Sequence, residues 1–151
     1  MKRKKQIFVT LAVLAGILFC GFTSEDCRVY DEAALFDVDQ IAELEEQIDQ
    51  ASQETGWDIV VATTEDASGM ETWEYAEWFY YDAGYGFGGE ESDAGLLYLI
   101  DLDNGELYFY YSEDAEESFP LGNVDPILDD AYEWAADGAY FESAKTFVSG
   151  V

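Results

Sequence analysis

The chain has no histidine, and beyond its first five residues it has only two basic side chains, Arg28 and Lys145. The other four cations are Lys2, Arg3, Lys4 and Lys5. Against them stand thirty-four Asp and Glu, so the region after Lys5 carries a net charge of −32. Each shortage excludes a class of function. With almost no cations to neutralise phosphates, the chain is expected to bind neither nucleic acid nor anionic lipid. Serines are present, but there is no imidazole to activate one as a nucleophile. There are two cysteines. Cys20 falls in an apolar leader and leaves Cys27 alone, so no internal disulfide framework forms. One cysteine and no histidine also exclude a structural zinc site. Proline occurs only at 120 and 126, and no linker, repeat or low-complexity tract divides the chain.

What is present begins with a signal. Lys2 to Lys5 precede a nearly unbroken apolar run, Ile7 to Phe22. That run is shorter than the about 20 residues a spanning helix needs, and a basic start before a short apolar core reads as a secretion signal or an uncleaved anchor. Residues 1–23 are assigned to it, with Gly21 and Thr23 as the best small pair before a cut. Phe19 before Cys20 is too bulky for a lipoprotein site. The expected location is extracytoplasmic, either secreted or tethered to the outer face of the cytoplasmic membrane, with the lysines inside.

Residues 28–151 are long enough for one domain with a real core. Aromatics make up 17% of the chain, which argues against disorder despite the charge. Asp37 is the expected N-cap of a first helix, with Gln40 completing a capping box and Phe36 and Ile41 placed as a hydrophobic staple. Ile41, Leu44, Ile48 and Ala51 fall on one face, and Gly56 is the stop. Trp57 to Thr64 reads as a buried strand. A second helix is expected over 71–82, then a glycine-rich loop from Gly84 to Asp93. A buried strand follows from Gly95 to Asp101. A hairpin turn at Asp103-Asn104-Gly105 leads to a returning strand, Glu106 to Ser112. Asp125 and Pro126 open a third helix closed by Gly138, and a fourth runs from about Tyr140 to Val148. Strand–helix–strand order predicts a right-handed parallel crossover. The expected fold is a three-layer α/β/α sandwich with a small mixed β-sheet.

Gly84, Gly86 and Gly89 satisfy a GxGxxG pattern, but they follow a helix and open a strand, the reverse of a dinucleotide site, and the acidic residues after them repel a pyrophosphate. Asp101-Leu102-Asp103-Asn104-Gly105 resembles the start of an EF-hand loop with its glycine one position early and Ser112 in place of the closing Glu, so it reads as a hairpin. Six aromatics crowd residues 73–81. One helix cannot bury all its faces against one sheet, so Trp73, Trp78 and Tyr81 should be partly exposed, unless neighbouring helices or the N-terminal arm cover them. Exposed, they would suit a sugar or a protein partner. If the first two long strands are parallel, Glu65, Asp66 and Asp101 share one end of the sheet, with the glycine loop at the other; Asp31 precedes the first helix on an extended segment that reaches either end.

Val29-Tyr30-Asp31-Glu32-Ala33-Ala34-Leu35-Phe36, the helix after it, Gly56 to Thr64, the Gly84–Gly89 loop and Asp93 to Ile100 together resemble the TPM domain. That family includes a thylakoid lumen protein, a photosystem repair protein and a nematode receptor modulator. The resemblance covers about Arg28 to Val151 and implies an α/β/α sandwich outside the cytoplasm. It also implies divalent-cation binding and, as in some members, acid phosphatase activity. Bacterial members of this kind carry a secretion signal, one TPM domain and often a C-terminal membrane segment, which this sequence lacks before Val151. The motif aspartates map onto Asp31 and Asp93. Many members have an Arg where this chain has Gly105, and losing it removes a natural partner for phosphate.

The cation expected from this resemblance is Ca²⁺ or Mg²⁺, held by Asp31, Glu91 and Asp93 at the glycine-loop end, where open carbonyls supplement carboxylates. The competing expectation is that Asp31 and Asp93 cap turns through backbone N–H groups. No catalytic residue is assigned. The expected function is a divalent-cation-binding adaptor that engages an envelope or membrane protein. A metal-dependent acid phosphatase and an aromatic-lined carbohydrate-binding module are the alternatives.

Overall fold

The structure, a computed structural model, describes residues 27–81, 95–112, 115, 122 and 124–151. The elements run β1 (Val29–Asp31), α1 (Val38–Thr55), β2 (Asp58–Thr64), α2 (Thr72–Tyr81), β3 (Gly95–Asp101), β4 (Glu106–Tyr111), α3 (Val124–Ala136) and α4 (Tyr140–Gly150). The strands form one sheet in the order β1-β2-β3-β4. β1, β2 and β3 are parallel, and β4 returns antiparallel. The α/β/α sandwich with a small mixed sheet expected from the sequence is the fold observed.

Local chemistry sets most boundaries. Asp37 caps α1 through the amides of Asp39 and Gln40, and the Gln40 side chain answers to the Asp37 amide. Gly56 ends α1 at φ 79°, donating its N–H to Ser52 O at 2.9 Å. Leu44 and Ile48, one turn apart, are fully buried. Each such side chain stabilises the fold by about 2–3 kcal/mol, and truncating Leu44 to Ala would cost that plus a cavity. α3 begins at Val124, so Asp125 lies in its first turn rather than before it. Gly138 follows α3 at φ 77°. The hairpin pairs Asp101 with Glu106, which makes a four-residue loop in which only Gly105 has positive φ. β1 is one strand more than the periodicity predicts, because three residues are too few to show a period.

β2 and β3 are buried on both faces. Ile59, Val61, Leu96 and Tyr98 pack with Leu44 and Ile48 of α1, Ala131 of α3 and Phe147 of α4. The alternate residues Val60, Ala62, Leu97 and Leu99 pack with Tyr75, Ala76 and Phe79 of α2. Successive strand residues point to opposite faces, so α1 and α2 lie on opposite sides of the sheet. Both crossovers step the same way, from β1 to β2 and from β2 to β3. Two parallel crossovers in the same direction on opposite faces have opposite hands. One of the two is therefore left-handed, against a strong preference. The sequence pattern foresaw only the crossover through α2, because β1 carries no period.

Candidate functional site

The opposite hands have a consequence for function. In open α/β sheets, ligands bind outside the carboxyl ends of the strands, where neighbouring connections leave for opposite faces. β1 leads to α1 on one face and β2 leads to α2 on the other, so the carboxyl ends of β1 and β2 are that place. Asp31 ends β1 and pairs with Thr63, and Thr64 pairs with Asp101. Gly95 pairs with Asp58, at the opposite end of the sheet. Asp31 therefore lies at the Asp101 end, away from the start of β3. Glu91 and Asp93 lie outside the described residues, as does the Gly84–Gly89 loop.

Asp31 is 5% exposed. Its Oδ1 accepts the Leu35 N–H at 2.9 Å and the Thr63 hydroxyl at 2.6 Å, and its Oδ2 accepts the Phe36 N–H at 2.8 Å. Thr63 Oγ1 in turn accepts the Ala33 N–H at 3.1 Å. The loop after β1 is thus tied back onto β2. Ala34, within it, has φ 52°, and Ser68, in the loop after β2, has φ 55°. These are the two non-glycine residues with positive φ among the described residues, and both follow the strands that frame this site. Left-handed conformations in residues with a Cβ cost energy, and they collect at functional sites.

Asp101, also buried, accepts the Asp103 and Asn104 amides on Oδ1 at 3.0 and 3.1 Å. Its Oδ2 accepts the Thr72 hydroxyl at 2.9 Å and the Asn104 side-chain amide at 2.8 Å. Asp103 Oδ2 accepts the Ala67 N–H at 3.1 Å, and Asp66 Oδ1 accepts the Ser68 N–H at 2.8 Å. The Tyr75 hydroxyl donates to Glu32 Oε2 at 3.2 Å. These carboxylates hold turns to one another and to α2.

Their fit to a divalent cation follows from the same bonds. An ionised carboxylate offers about four acceptor positions. Asp101 meets four donors and Asp31 three. Asp31 is in register with Thr63 and Ile100, and Asp101 is one residue further along. Their side chains therefore point to opposite faces of the sheet, with β2 between them, and do not converge on one ion. Among the described residues, no group of three or more acidic or cysteine side chains is placed to hold a metal. Asp31 and Asp101 do not fit a cation as they stand. Asp31 meets the competing expectation of a turn cap.

The two cations lie elsewhere. Arg28 Nε is 2.6 Å from Asp58 Oδ1, at the opposite end of β2. Burial raises the Asp58 carboxyl above its ordinary value, and the Arg28 charge and hydrogen bond pull it back. Lys145 Nζ lies 2.7 Å from Glu43 Oε1 and 5.0 Å from the centre of the Phe141 ring. Gly105 lines a shallow cleft of about 140 Å³ with Leu107, Tyr132 and Tyr140, where Asp101 and Glu106 are the charged residues. No cation lines it.

A sequence model of the TPM domain matches residues 29–151. The chain belongs to the TPM domain family. The N-terminal domain of a protein from P. gingivalis, solved in solution by NMR, superposes with a TM-score of 0.68 at 20% identity, over 83% of this chain and 80% of that one. At that identity the likeness is one of fold. No curated protein matches the chain.

Within this TPM domain, sequence reasoning missed Thr63 and Thr72, the hydroxyls that orient Asp31 and Asp101. The available signal was Thr63-Thr64, two polar residues closing a strand otherwise apolar on both faces. Among the described residues no helix is long and apolar enough to cross a membrane, and the Ile7–Phe22 run lies outside them.

Proposed function

We propose that this TPM domain is an extracytoplasmic interaction module for an envelope or membrane protein, modulated by Ca²⁺ or Mg²⁺, and that it does not turn over phosphoesters. The observation that carries this reading is the state of Asp31. The carboxylate that a metal-dependent phosphatase reading needs as a ligand is spent on Leu35, Phe36 and Thr63. A phosphoester would also meet a net charge of −32 beyond Lys5, and Arg28 and Lys145 are held in ion pairs with Asp58 and Glu43. A bound cation would relieve repulsion among the carboxylates. Asp31 has little coordinating capacity left, so that role falls to Glu91 and Asp93.

The test is a phosphoesterase assay of the purified chain on a chromogenic phosphomonoester with Ca²⁺ or Mg²⁺, paired with thermal melting. The expected result is no saturable turnover, and a melting temperature raised by Ca²⁺ beyond sodium at matched ionic strength. Asp93→Asn should remove most of that excess. Saturable hydrolysis abolished by Asp31→Asn in a folded variant overturns the non-catalytic reading in favour of the phosphatase. Equal effects of calcium and matched sodium overturn the modulation by cations.

A further inference from the structure

We infer that the outer face of α2 docks an arginine-rich segment of the partner protein. The inference rests on reading the domain as an interaction module, and it names the surface and the chemistry of the partner.

α2 turns Thr72, Tyr75, Ala76, Phe79 and Tyr80 inward. The other side carries Trp73, 51% exposed, Trp78, 39% exposed, and Tyr81, 58% exposed. Glu74 and Glu77 are exposed between them. The spacing makes two stripes, Trp73–Glu77–Tyr81 and Glu74–Trp78, with each step four residues and so nearly one helical turn. Eight residues from Trp73 to Tyr81 span about 12 Å at helical rise. Every aromatic ring on this face thus has a carboxylate one turn away.

Trp78 and Tyr81 are held in place. Trp78 leans on Tyr75 with centroids 5.5 Å apart, and Tyr75 is anchored in the core and through its hydroxyl on Glu32. Tyr81 meets Tyr80 edge-on at 5.0 Å and Tyr110 of β4 at 6.1 Å. A helix that needed only solvation on this side would place Lys, Glu or Gln there, and large exposed aromatics are a recurrent mark of docking surfaces.

The charge pattern selects the occupant. No Lys or Arg lies within α2, and the domain around it is strongly acidic. An acidic partner or an anionic membrane is repelled. A guanidinium stacks flat on an indole while its N–H groups pair with a carboxylate, and alternating rings and carboxylates suit that double contact. An ammonium makes the ionic contact but stacks less well, so arginine should exceed lysine.

The test uses the full chain and two synthetic probes, a tetra-arginine and a tetra-lysine peptide, followed by the indole N–H signals of the tryptophans in NMR. The expected result is that tetra-arginine shifts Trp73 and Trp78, leaves Trp57, half-buried on the opposite side of the sheet, in place, and binds more tightly than tetra-lysine. Replacing Trp73 and Trp78 together by Ala should weaken tetra-arginine about tenfold. Glu74→Gln with Glu77→Gln should weaken it as well, and because these positions are exposed that variant keeps the fold even where the tryptophan pair does not. Equal binding of both peptides, insensitive to either variant, reduces the attraction to diffuse charge and overturns the assignment. Self-association lost in the tryptophan variant makes a second copy the occupant, and binding to zwitterionic phosphatidylcholine vesicles through the same indoles makes it a lipid surface; both overturn it. None of these outcomes alters the phosphoesterase result, so failure here is distinct from failure of the non-catalytic reading.

Discussion

Thr63 and Asp31 are joined by a hydroxyl-to-carboxylate hydrogen bond of 2.6 Å, and the same hydroxyl oxygen accepts the Ala33 N–H at 3.1 Å. One side chain of β2 thereby fixes both the last residue of β1 and the loop that follows it. Thr63→Val keeps the shape and deletes both bonds, leaving a buried carboxylate oxygen and an amide short of a partner. The expected loss is about 2 kcal/mol, read as a lower urea midpoint with an unchanged slope. Thr63→Ser keeps the hydroxyl and should recover most of that loss. A valine variant as stable as the parent would show that water replaces the hydroxyl.

Ala34 stands at φ 52°. A Cβ in the left-handed region costs about 1 kcal/mol or more, which glycine avoids. Ala34→Gly should therefore leave stability unchanged or raise it by up to about 1 kcal/mol, after the entropy glycine adds to the unfolded chain. Ala34→Val should lower it further than an ordinary surface change. Thermal melting separates these outcomes, and a clear loss in the glycine variant would mean that Ala34 is not in this conformation in solution.

The contrast between α1 and the site shows what a sequence of this kind carries. The capping box at Asp37 and Gln40 and the glycine stop at Gly56 are local chemistry, written within a few residues and readable there. The outward position of Trp73, Trp78 and Tyr81 follows from counting rings on one helix. The hands of the crossovers do not follow, because β2 and β3 are apolar on both faces and give no sign of which helix each face receives. The end of the sheet that holds Asp31 was open for a related reason. A three-residue strand has no period, and only its pairing with Val61 to Thr63 sets its direction. The candidate cation ligands Glu91 and Asp93 lie in a glycine-rich stretch without periodicity, where spacing constrains little.

Gly95 opens β3 against Tyr80. A Cβ there would run into the Tyr80 hydroxyl oxygen and come within 2.9 Å of the ring carbon that bears it. Gly95→Ala should cost about 1–3 kcal/mol, as overpacking does in a close-packed interior. Tyr80→Phe in the same chain removes the nearest clashing atom and should return part of the loss. The check is a double-mutant cycle by urea unfolding, in which the two changes must be less than additive in their cost. Additive losses would mean that β3 shifts to take the alanine and that Tyr80 does not set the limit.

Tyr98 is buried against Phe147, with ring centroids 4.5 Å apart, and its hydroxyl lies 2.7 Å from Ser143 Oγ. Burial pushes its phenol up to about 12, while the bond to Ser143 pulls the other way. Burial also takes Tyr30 to about 12. A phenol raised in the folded state holds its proton more tightly there than in the unfolded chain. Its contribution to stability is therefore complete below the ordinary value of about 10 and is lost as pH rises towards 12. For Tyr98 that loss is on the order of 3 kcal/mol. The urea midpoint should accordingly hold steady from neutral pH to about 9 and fall between about 10 and 12. Tyr98→Phe cannot ionise, so its midpoint should start lower, for want of the bond to Ser143, and then fall less steeply over the same range. If the parent and Tyr98→Phe fall with the same slope, the phenol at position 98 is not the group being forced to ionise, and the alkaline loss belongs to the other tyrosines.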